Sequence, residues 1–331
     1  MNLTYRGGII GTGSFLPDRI LTNQDLERIV DTSDEWITTR TGIKERRIAD
    51  ENTATSDLAT KAAQNALLKA GLEASQIDLI IVSTITPDMN FPSTACIVQS
   101  NIKANNAVAF DISAACTGFI YALVTANQFI STGLYKNVLV IGAETLSKFV
   151  NWQDRNTCVL FGDGAGAVVM SRVKEGYGVL SQYLGADGTG GNALAIDAGG
   201  SRLPASFETL SRKMHYIRMD GNEVFKFAVR VMASAAEEAL HIAGLEKSAV
   251  DYLIPHQANI RIIEAARKRM GLSEDRVYVN LSKYGNMSAA SIPVALDEAV
   301  NSGAIKVGDN VILVGFGAGL TWGSCLLKWG F

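Results

Sequence analysis

The chain has 331 residues, 47% of them hydrophobic and 19% charged, with a formal net charge of -3. That is enough apolar material for a large core or two domains, and the slight acidity argues against a general nucleic-acid binder. Cys96, Cys116, Cys158 and Cys325 are scattered without CxxC spacing, so neither a zinc site nor a disulfide framework is indicated. Glycines interrupt the N-terminal stretch MNLTYRGGIIGTGSFLP too early for a signal peptide, and no apolar run is long enough to span a membrane. The expectation is a soluble, cytoplasmic globular protein that engages neither nucleic acid nor membrane.

Residues 8–15 read as the first strand. Their GTGSFL lacks the third glycine of a dinucleotide-binding turn, and no helix pattern starts there. From Thr32, the text TSDEWITTRTGIKERRIA predicts a short helix with Ser33 as N-cap and Trp36, Arg40 and Thr41 ahead of Gly42. An amphipathic helix with a solvated basic end is the ordinary reading. An aromatic ring beside arginines also suits stacking on, and pairing with, a nucleotide.

The architecture emerges from a repeat. Residues 62–81 read AAQNALLKAGLEASQIDLII and residues 235–254 read AAEEALHIAGLEKSAVDYLI, with 11 of 20 positions identical. The offset of 173 persists downstream, where NVLVIGAE at Asn137 aligns with NVILVGFG at Asn310. The chain is therefore expected to hold two copies of one supersecondary unit, residues 1–172 and 173–331. In each copy strands and helices alternate and two adjacent strands close the unit, which implies mixed, mainly parallel sheets covered by helices. Two such sheets with helices between and outside them make a five-layered α/β/α/β/α architecture.

Within the first copy, DISAACTGF predicts a buried strand over 107–112, a corner of small residues, and a helix over 116–132 closed by Gly133. A cysteine in the first turn of such a helix meets unpaired N–H groups and the positive end of the dipole, which favour a thiolate. A nucleophile and a small thiol filling a core gap both satisfy this stretch. The repeat places Ala289 of YGNMSAAS opposite Cys116, so the second corner lacks the thiol. A strand over 251–254 runs into Pro255 and His256 of HQAN, whose counterpart is Ser83. Both loops lie beyond strand C-termini, where open α/β sheets bind ligands. If the copies pack about a pseudo-twofold axis, Cys116, His256 and Asn286 converge. Of the other two histidines, His215 lies in a polar stretch, and His241, within the helix before AGLE, reads as structural. The helix over 261–270 carries Arg261, Arg267, Lys268 and Arg269 against Glu264, and Lys226 and Arg230 precede it. That basic excess suits either an acidic protein partner or plain solvation.

Taken together, DEWITTRTGI, FPS at Phe91, the Cys116 corner, FGDGAG at Phe161, HQAN, YGNMSAAS and the terminal GFGAGLTWGS resemble the β-ketoacyl-acyl-carrier-protein synthase III family of the thiolase fold. The resemblance implies a Cys-His-Asn triad of Cys116, His256 and Asn286. It implies an oxyanion hole made by the Cys116 N–H and a backbone N–H of the 317–319 turn, where Ala318 interrupts a glycine run. It further implies a homodimer in which Phe91 reaches the partner's acyl pocket. Trp36 and Arg155 would flank the adenine of coenzyme A, with Arg40, Thr41, Gly221, Asn222, Ala258 and Asn259 along its path. Gln257, Ala258, Asn259, Ile260, Arg261, Lys268, Arg269 and Lys226 would meet the acyl carrier protein.

By the same resemblance the enzyme joins an acyl-coenzyme A primer to malonyl-carrier protein, starting fatty acid synthesis with no metal and no cofactor beyond its thioester substrates. Biosynthetic and degradative thiolases carry a second cysteine where this chain has Ala318, and elongating synthases a second histidine where it has Asn286. A synthase III-like acyltransferase of secondary metabolism is the alternative. The intact Cys116, His256 and Asn286 speak against an inactive thioester-binding scaffold.

Overall fold

The computed structural model describes residues 5–331. Its first strand, β1 (Gly7–Phe15), leads into a ribbon of β2 (Ile20–Thr22) and β3 (Glu45–Arg47) that brackets α1 (Asn23–Glu27) and α2 (Asp34–Thr41). Ser33 caps α2 by accepting from the Trp36 N–H, and Gly42 closes it at φ 84°, as the sequence pattern predicts. The alanine-rich face of α3 (Thr55–Ala70) then lies directly on β1. A Cβ at Gly13 would sit 2.3 Å from the Ala66 nitrogen. The GTG of this strand therefore serves close helix-on-strand packing and not a nucleotide.

The first half continues through β4 (Leu79–Ser83), α4 (Thr94–Asn101), β5 (Val108–Ile112), α5 (Gly118–Ser131), β6 (Val138–Thr145), α6 (Arg155–Cys158) and β7 (Asp163–Arg172). Its sheet has the order β1-β7-β6-β4-β5, and only β7 runs against the other strands. One expectation fails here. β5 is not a buried strand: it pairs only with β4, at the sheet edge, and Val108 is 48% exposed.

The second half repeats the plan. After β8 (Gly178–Ala186) come β9 (Leu194–Ala195), α7 (Phe207–Ser211) and β10 (Arg218–Met219). The chain then forms α8 (Gly221–Ala243), β11 (Tyr252–Pro255), α9 (Ile260–Met270), α10 (Leu281–Tyr284), α11 (Ser291–Asn301), β12 (Asn310–Gly317) and β13 (Thr321–Lys328). Its sheet order, β8-β13-β12-β11, matches β1-β7-β6-β4, and β13 alone is reversed. A fifth strand is reduced to a single bridge between Leu253 and Val277.

Helices α5 and α11 fill the space between the sheets. Phe119, Ile120 and Leu123 of the first and Ile292 and Leu296 of the second share one core with Val140 and Val168 of one sheet and Val311 and Leu313 of the other. α3 covers the outer face of the first sheet, and α8 and α9 cover that of the second. The five layers are thus explained: α5 is apolar on most faces because it is buried on most faces. No helix among the described residues is long and apolar enough to cross a membrane.

Candidate active site

The Cys116 corner follows β5. Ala115 adopts a left-handed φ of 47°, residues Ala115–Thr117 form a 3₁₀ turn, and α5 begins only at Gly118. A Cβ at Gly118 would lie 1.9 Å from the Ser83 hydroxyl, and one at Gly317 2.7 Å from the Cys116 nitrogen. Both glycines are therefore required for the backbones to approach so closely. Cys116 is buried, and burial pushes its thiol up to about 12. The sequence pattern predicts a thiolate favoured by a helix start, whereas here the turn that presents the sulfur is 3₁₀, not the first turn of an α-helix, and burial opposes the charged form.

His256 sits one residue beyond β11, where its N–H donates to the Val314 carbonyl at 2.8 Å. Its ring meets Phe316 edge-on, with centroids 5.5 Å apart. Neither ring nitrogen has a hydrogen-bond partner among the described residues, and burial lowers the imidazole to about 3. The ring is therefore neutral at physiological pH and carries one N–H donor.

Asn286 is clamped by the start of the FGDGAG stretch and the residue before it: its N–H donates to the Leu160 carbonyl at 2.8 Å, and its carbonyl accepts from the Gly162 N–H at 3.1 Å. Its Oδ1 accepts from the Ser288 N–H at 2.8 Å, leaving the amide N–H groups for the cavity. Cys116, His256 and Asn286 together line one cavity of about 90 Å³, walled by Phe161, Phe316, Gly317 and Ala318. On the other side of Cys116 a second, mostly apolar cavity of about 260 Å³ is lined by Ile85, Leu146, Ile196, Ile217 and Ala318. Ala318 borders both.

Two family models match: 3-oxoacyl-[acyl-carrier-protein] synthase III over residues 110–188 and the C-terminal model of the same family over residues 240–329. The β-ketoacyl-[acyl-carrier-protein] synthase III of Caldanaerobacter subterraneus is 66% identical over 322 residues, covering 97% of both chains. The chain belongs to the 3-oxoacyl-[acyl-carrier-protein] synthase III family. It is accordingly an acyltransferase with the thiolase-like fold. The crystal structure of 3-oxoacyl-[acyl-carrier-protein] synthase III from Aquifex aeolicus superposes with a TM-score of 0.91 at 52% identity, covering 98% of this chain and 100% of that one. The priming β-ketosynthase of the R1128 polyketide pathway superposes equally well, at 0.91 and 35% identity, covering 100% and 99%.

The other positions singled out in this synthase III chain fall into two groups. Trp36 carries the guanidinium groups of Arg40 and Arg155 over its ring, 4.7 and 5.0 Å from the centroid. Arg155 is held there by the Asp31 carbonyl at 3.0 Å, so it is not a loose surface cation. Gly221, Ala258 and Asn259 line the same cavity as Cys116, whereas Asn222 is an exposed residue of the first turn of α8.

Thr41 and Gln257 are corrections. Thr41 is buried, with its hydroxyl donating to Ile37 and accepting from the Ile43 N–H, and so it caps α2 instead of facing coenzyme A. Gln257 is buried too. It donates to Pro255 and Tyr278 and accepts from the Asn280 and Leu281 N–H groups, which makes it the internal brace of the HQAN loop and unreachable for a carrier protein. Asn259 caps α9 through the Arg261 N–H and donates to the Arg40 carbonyl, tying α9 to α2.

On α9 itself, Arg267 is paired with Glu264 and Arg269 with Glu237. The exposed Lys268, Arg261 and Lys226 remain without an acidic partner among the described residues. Arg261 instead lies over the Phe225 ring at 5.2 Å. Ile260 is half-buried against Gly42. Phe91, 85% exposed, stands on the β4–α4 loop. Of the remaining histidines, His215 is satisfied by Thr209 at 2.9 Å and His241 is exposed at the end of α8.

Sequence reasoning missed Glu144 and Ser288. Glu144 is fully buried in β6 and receives hydrogen bonds from Thr84, Ile85 and Thr86. A charged residue at the end of VLVIGAET was the available signal.

Proposed function

We propose that this synthase III condenses an acyl-coenzyme A primer with malonyl-carrier protein through an acyl-Cys116 intermediate. The observation that carries the reading is the convergence of a buried thiol, a neutral imidazole and an oriented amide on one mostly apolar cavity, with an apolar pocket behind the sulfur. Cys116 attacks the thioester and holds the acyl group, whose chain fits the pocket by Ile85, Leu146 and Ile217. The Cys116 N–H and the Ala318 turn bind the oxyanion. Coenzyme A leaves along Gly221, Ala258 and Asn259 toward Trp36, Arg40 and Arg155. Malonyl-carrier protein then loses carbon dioxide. The His256 N–H and the Asn286 amide donate to the enolate oxygen, and the enolate carbon displaces the Cys116 sulfur to give the β-ketoacyl product.

A neutral histidine suits this role, since an imidazole held near 3 donates without protonating the enolate. The open edge of β5 and the exposed Phe91 support a homodimer built on the first sheets, and Arg261, Lys268 and Lys226 support docking of the acidic carrier. The reaction fits a cytoplasmic location and needs no metal or further cofactor. The overlap with a polyketide priming synthase favours, as second reading, a primer destined for secondary metabolism, and rates with a panel of acyl-coenzyme A primers separate the two. Intact-protein mass spectrometry after incubation with acetyl-coenzyme A tests the main reading. An acyl adduct is expected on the wild type and on single variants of Cys96, Cys158 or Cys325, but not on Cys116→Ala. Persistence of the adduct in Cys116→Ala would refute it.

A further inference from the structure

Glu144 is a buried acid that the mechanism above does not use. Glu144 lies at the C-terminal end of β6, fully buried. One carboxylate oxygen accepts from Thr86 at 2.6 Å, Thr84 at 3.1 Å and the Ile85 N–H at 3.2 Å. These partners are hydroxyls and an amide, with no cation among them. Of the other carboxylates on this sheet, Asp163 of β7 is tied to Ala49 and Ser147, and Asp111 of β5 to the Thr94 and Ala95 N–H groups. The negative charge of Glu144 opposes ionisation of the Cys116 thiol, and His256 across the cavity is neutral.

Ser288 stands between the two. It holds a left-handed φ of 45°, the repeat counterpart of Ala115 at 47°, a conformation that costs a non-glycine residue roughly 1–2 kcal/mol. The turn around it packs on the Cys116 turn and on β6. Its hydroxyl is buried, has no hydrogen-bond partner among the described residues, and lines the apolar cavity that Cys116 also lines. A strained residue with an uncommitted, buried hydroxyl in the cavity beside Cys116 points to a part in the reaction.

We propose that Ser288 and Glu144 form a proton relay behind Cys116, with Glu144 holding the thiol proton for the lifetime of the acyl enzyme. As the Cys116 sulfur bonds to the acyl carbon, its proton passes to the Ser288 oxygen and the Ser288 proton passes to Glu144. The acyl–sulfur bond to coenzyme A breaks, and the departing thiolate takes a proton from water. When the enolate carbon later displaces the Cys116 sulfur, the relay runs backwards and restores the thiol and the carboxylate. Transfer in step with bond formation means that a free thiolate is never needed, which answers the burial of a thiol whose ordinary ionisation is suppressed. Glu144 acts through Ser288 and does not itself touch the acyl group.

The inference rests on the reading of Cys116 as acyl carrier, and two readouts separate their fates. The first is rapid-quench mass spectrometry of acyl-Cys116 formation from acetyl-coenzyme A, as a function of pH. The second is the rate of Cys116 alkylation by iodoacetamide, which needs no acyl substrate. Burial raises the Glu144 carboxyl to about 7, and it accepts a proton only when ionised, so wild-type rates rise with pH through about 7. Glu144→Gln keeps the shape and is expected to slow both reactions about 100-fold at pH 7, in line with loss of a general base, and to remove that inflection. Ser288→Ala, whose backbone the counterpart Ala115 shows to be compatible with alanine, should do the same. Loss of rate with the inflection near pH 7 retained would mean a merely structural role and overturn the relay, as would wild-type rates in either variant. If the wild type alkylates with this profile but forms no acyl adduct from acyl-coenzyme A primers, the functional reading fails while the pair at the thiol stands.

Discussion

The two turns that face each other across the pseudo-twofold axis have nearly the same backbone and different duties. Residues Ala115–Thr117 and Ser288–Ala290 are both 3₁₀ turns, each starts on a left-handed residue at φ 47° and 45°, and each feeds a central helix, α5 or α11. The repeat offset relates them residue by residue. The first carries the thiol of Cys116. The second has Ala289 in that place, and contributes instead the Asn286 amide on one side and the Ser288 hydroxyl on the other. A strained turn preserved in both halves shows that the backbone is the shared inheritance of the fold. The side chains on it differ between the copies, and in the proposed reaction the chemistry is divided accordingly. The loops beyond β4 and β11 make the same point: Ser83 packs against Gly118, while its counterpart His256 opens on the cavity.

Breaking the second turn is expected to have the largest effect. Asn286→Ala leaves the first turn intact, so acyl-Cys116 should still form at a substantial rate. Condensation and malonyl decarboxylation should fall about 100- to 1,000-fold, the usual loss for one oxyanion donor in a dry site. Radiolabelled acetyl-coenzyme A and malonyl-carrier protein follow the halves separately. Loss of acylation with decarboxylation kept would reverse the assignment of the turns.

A smaller effect comes from making the first turn imitate the second. Gly118 corresponds to Ser291, whose hydroxyl accepts from the Met287 N–H at 2.9 Å. Gly118→Ser would drive a Cβ onto the Ser83 hydroxyl, and overpacking of this kind costs about 1–3 kcal/mol. A lowered Tm is expected, and Ser83→Gly in the same chain should restore part of it. A Gly118→Ser enzyme as stable as wild type would show that the contact is slack.

The smallest effect concerns two neighbours on α9. Lys268 is exposed without an acidic partner, whereas Arg269 is bound to Glu237. Lys268→Glu should raise KM for malonyl-carrier protein several-fold, by roughly 1 kcal/mol of lost charge complementarity, and leave acylation by coenzyme A thioesters unchanged. Arg269→Glu should instead lower stability through repulsion of Glu237. Equal kinetic effects on both substrates would remove Lys268 from the docking surface.

Much of this was written locally. The repeat of AAxxALxxAGLE and its constant offset determined two like sheets, because a helix with an alanine face and the strand after it can bury their apolar sides in only a few ways. Cys116, His256 and Asn286 were legible because each stands at the end of a strand or beside a glycine turn, where the chain itself positions the side chain. Tertiary structure alone decided what surrounds them. Burial from both halves pushes the thiol of Cys116 up to about 12, where the sequence pattern alone predicts a thiolate at a helix start. It takes Gln257 and Thr41 inward, where their polar groups are needed by neighbouring backbone. Glu144 and Ser288 lie 144 residues apart in sequence and meet only when the two copies close on one another. Desolvation depends on every atom packed around a group, and no local pattern of residues contains that sum.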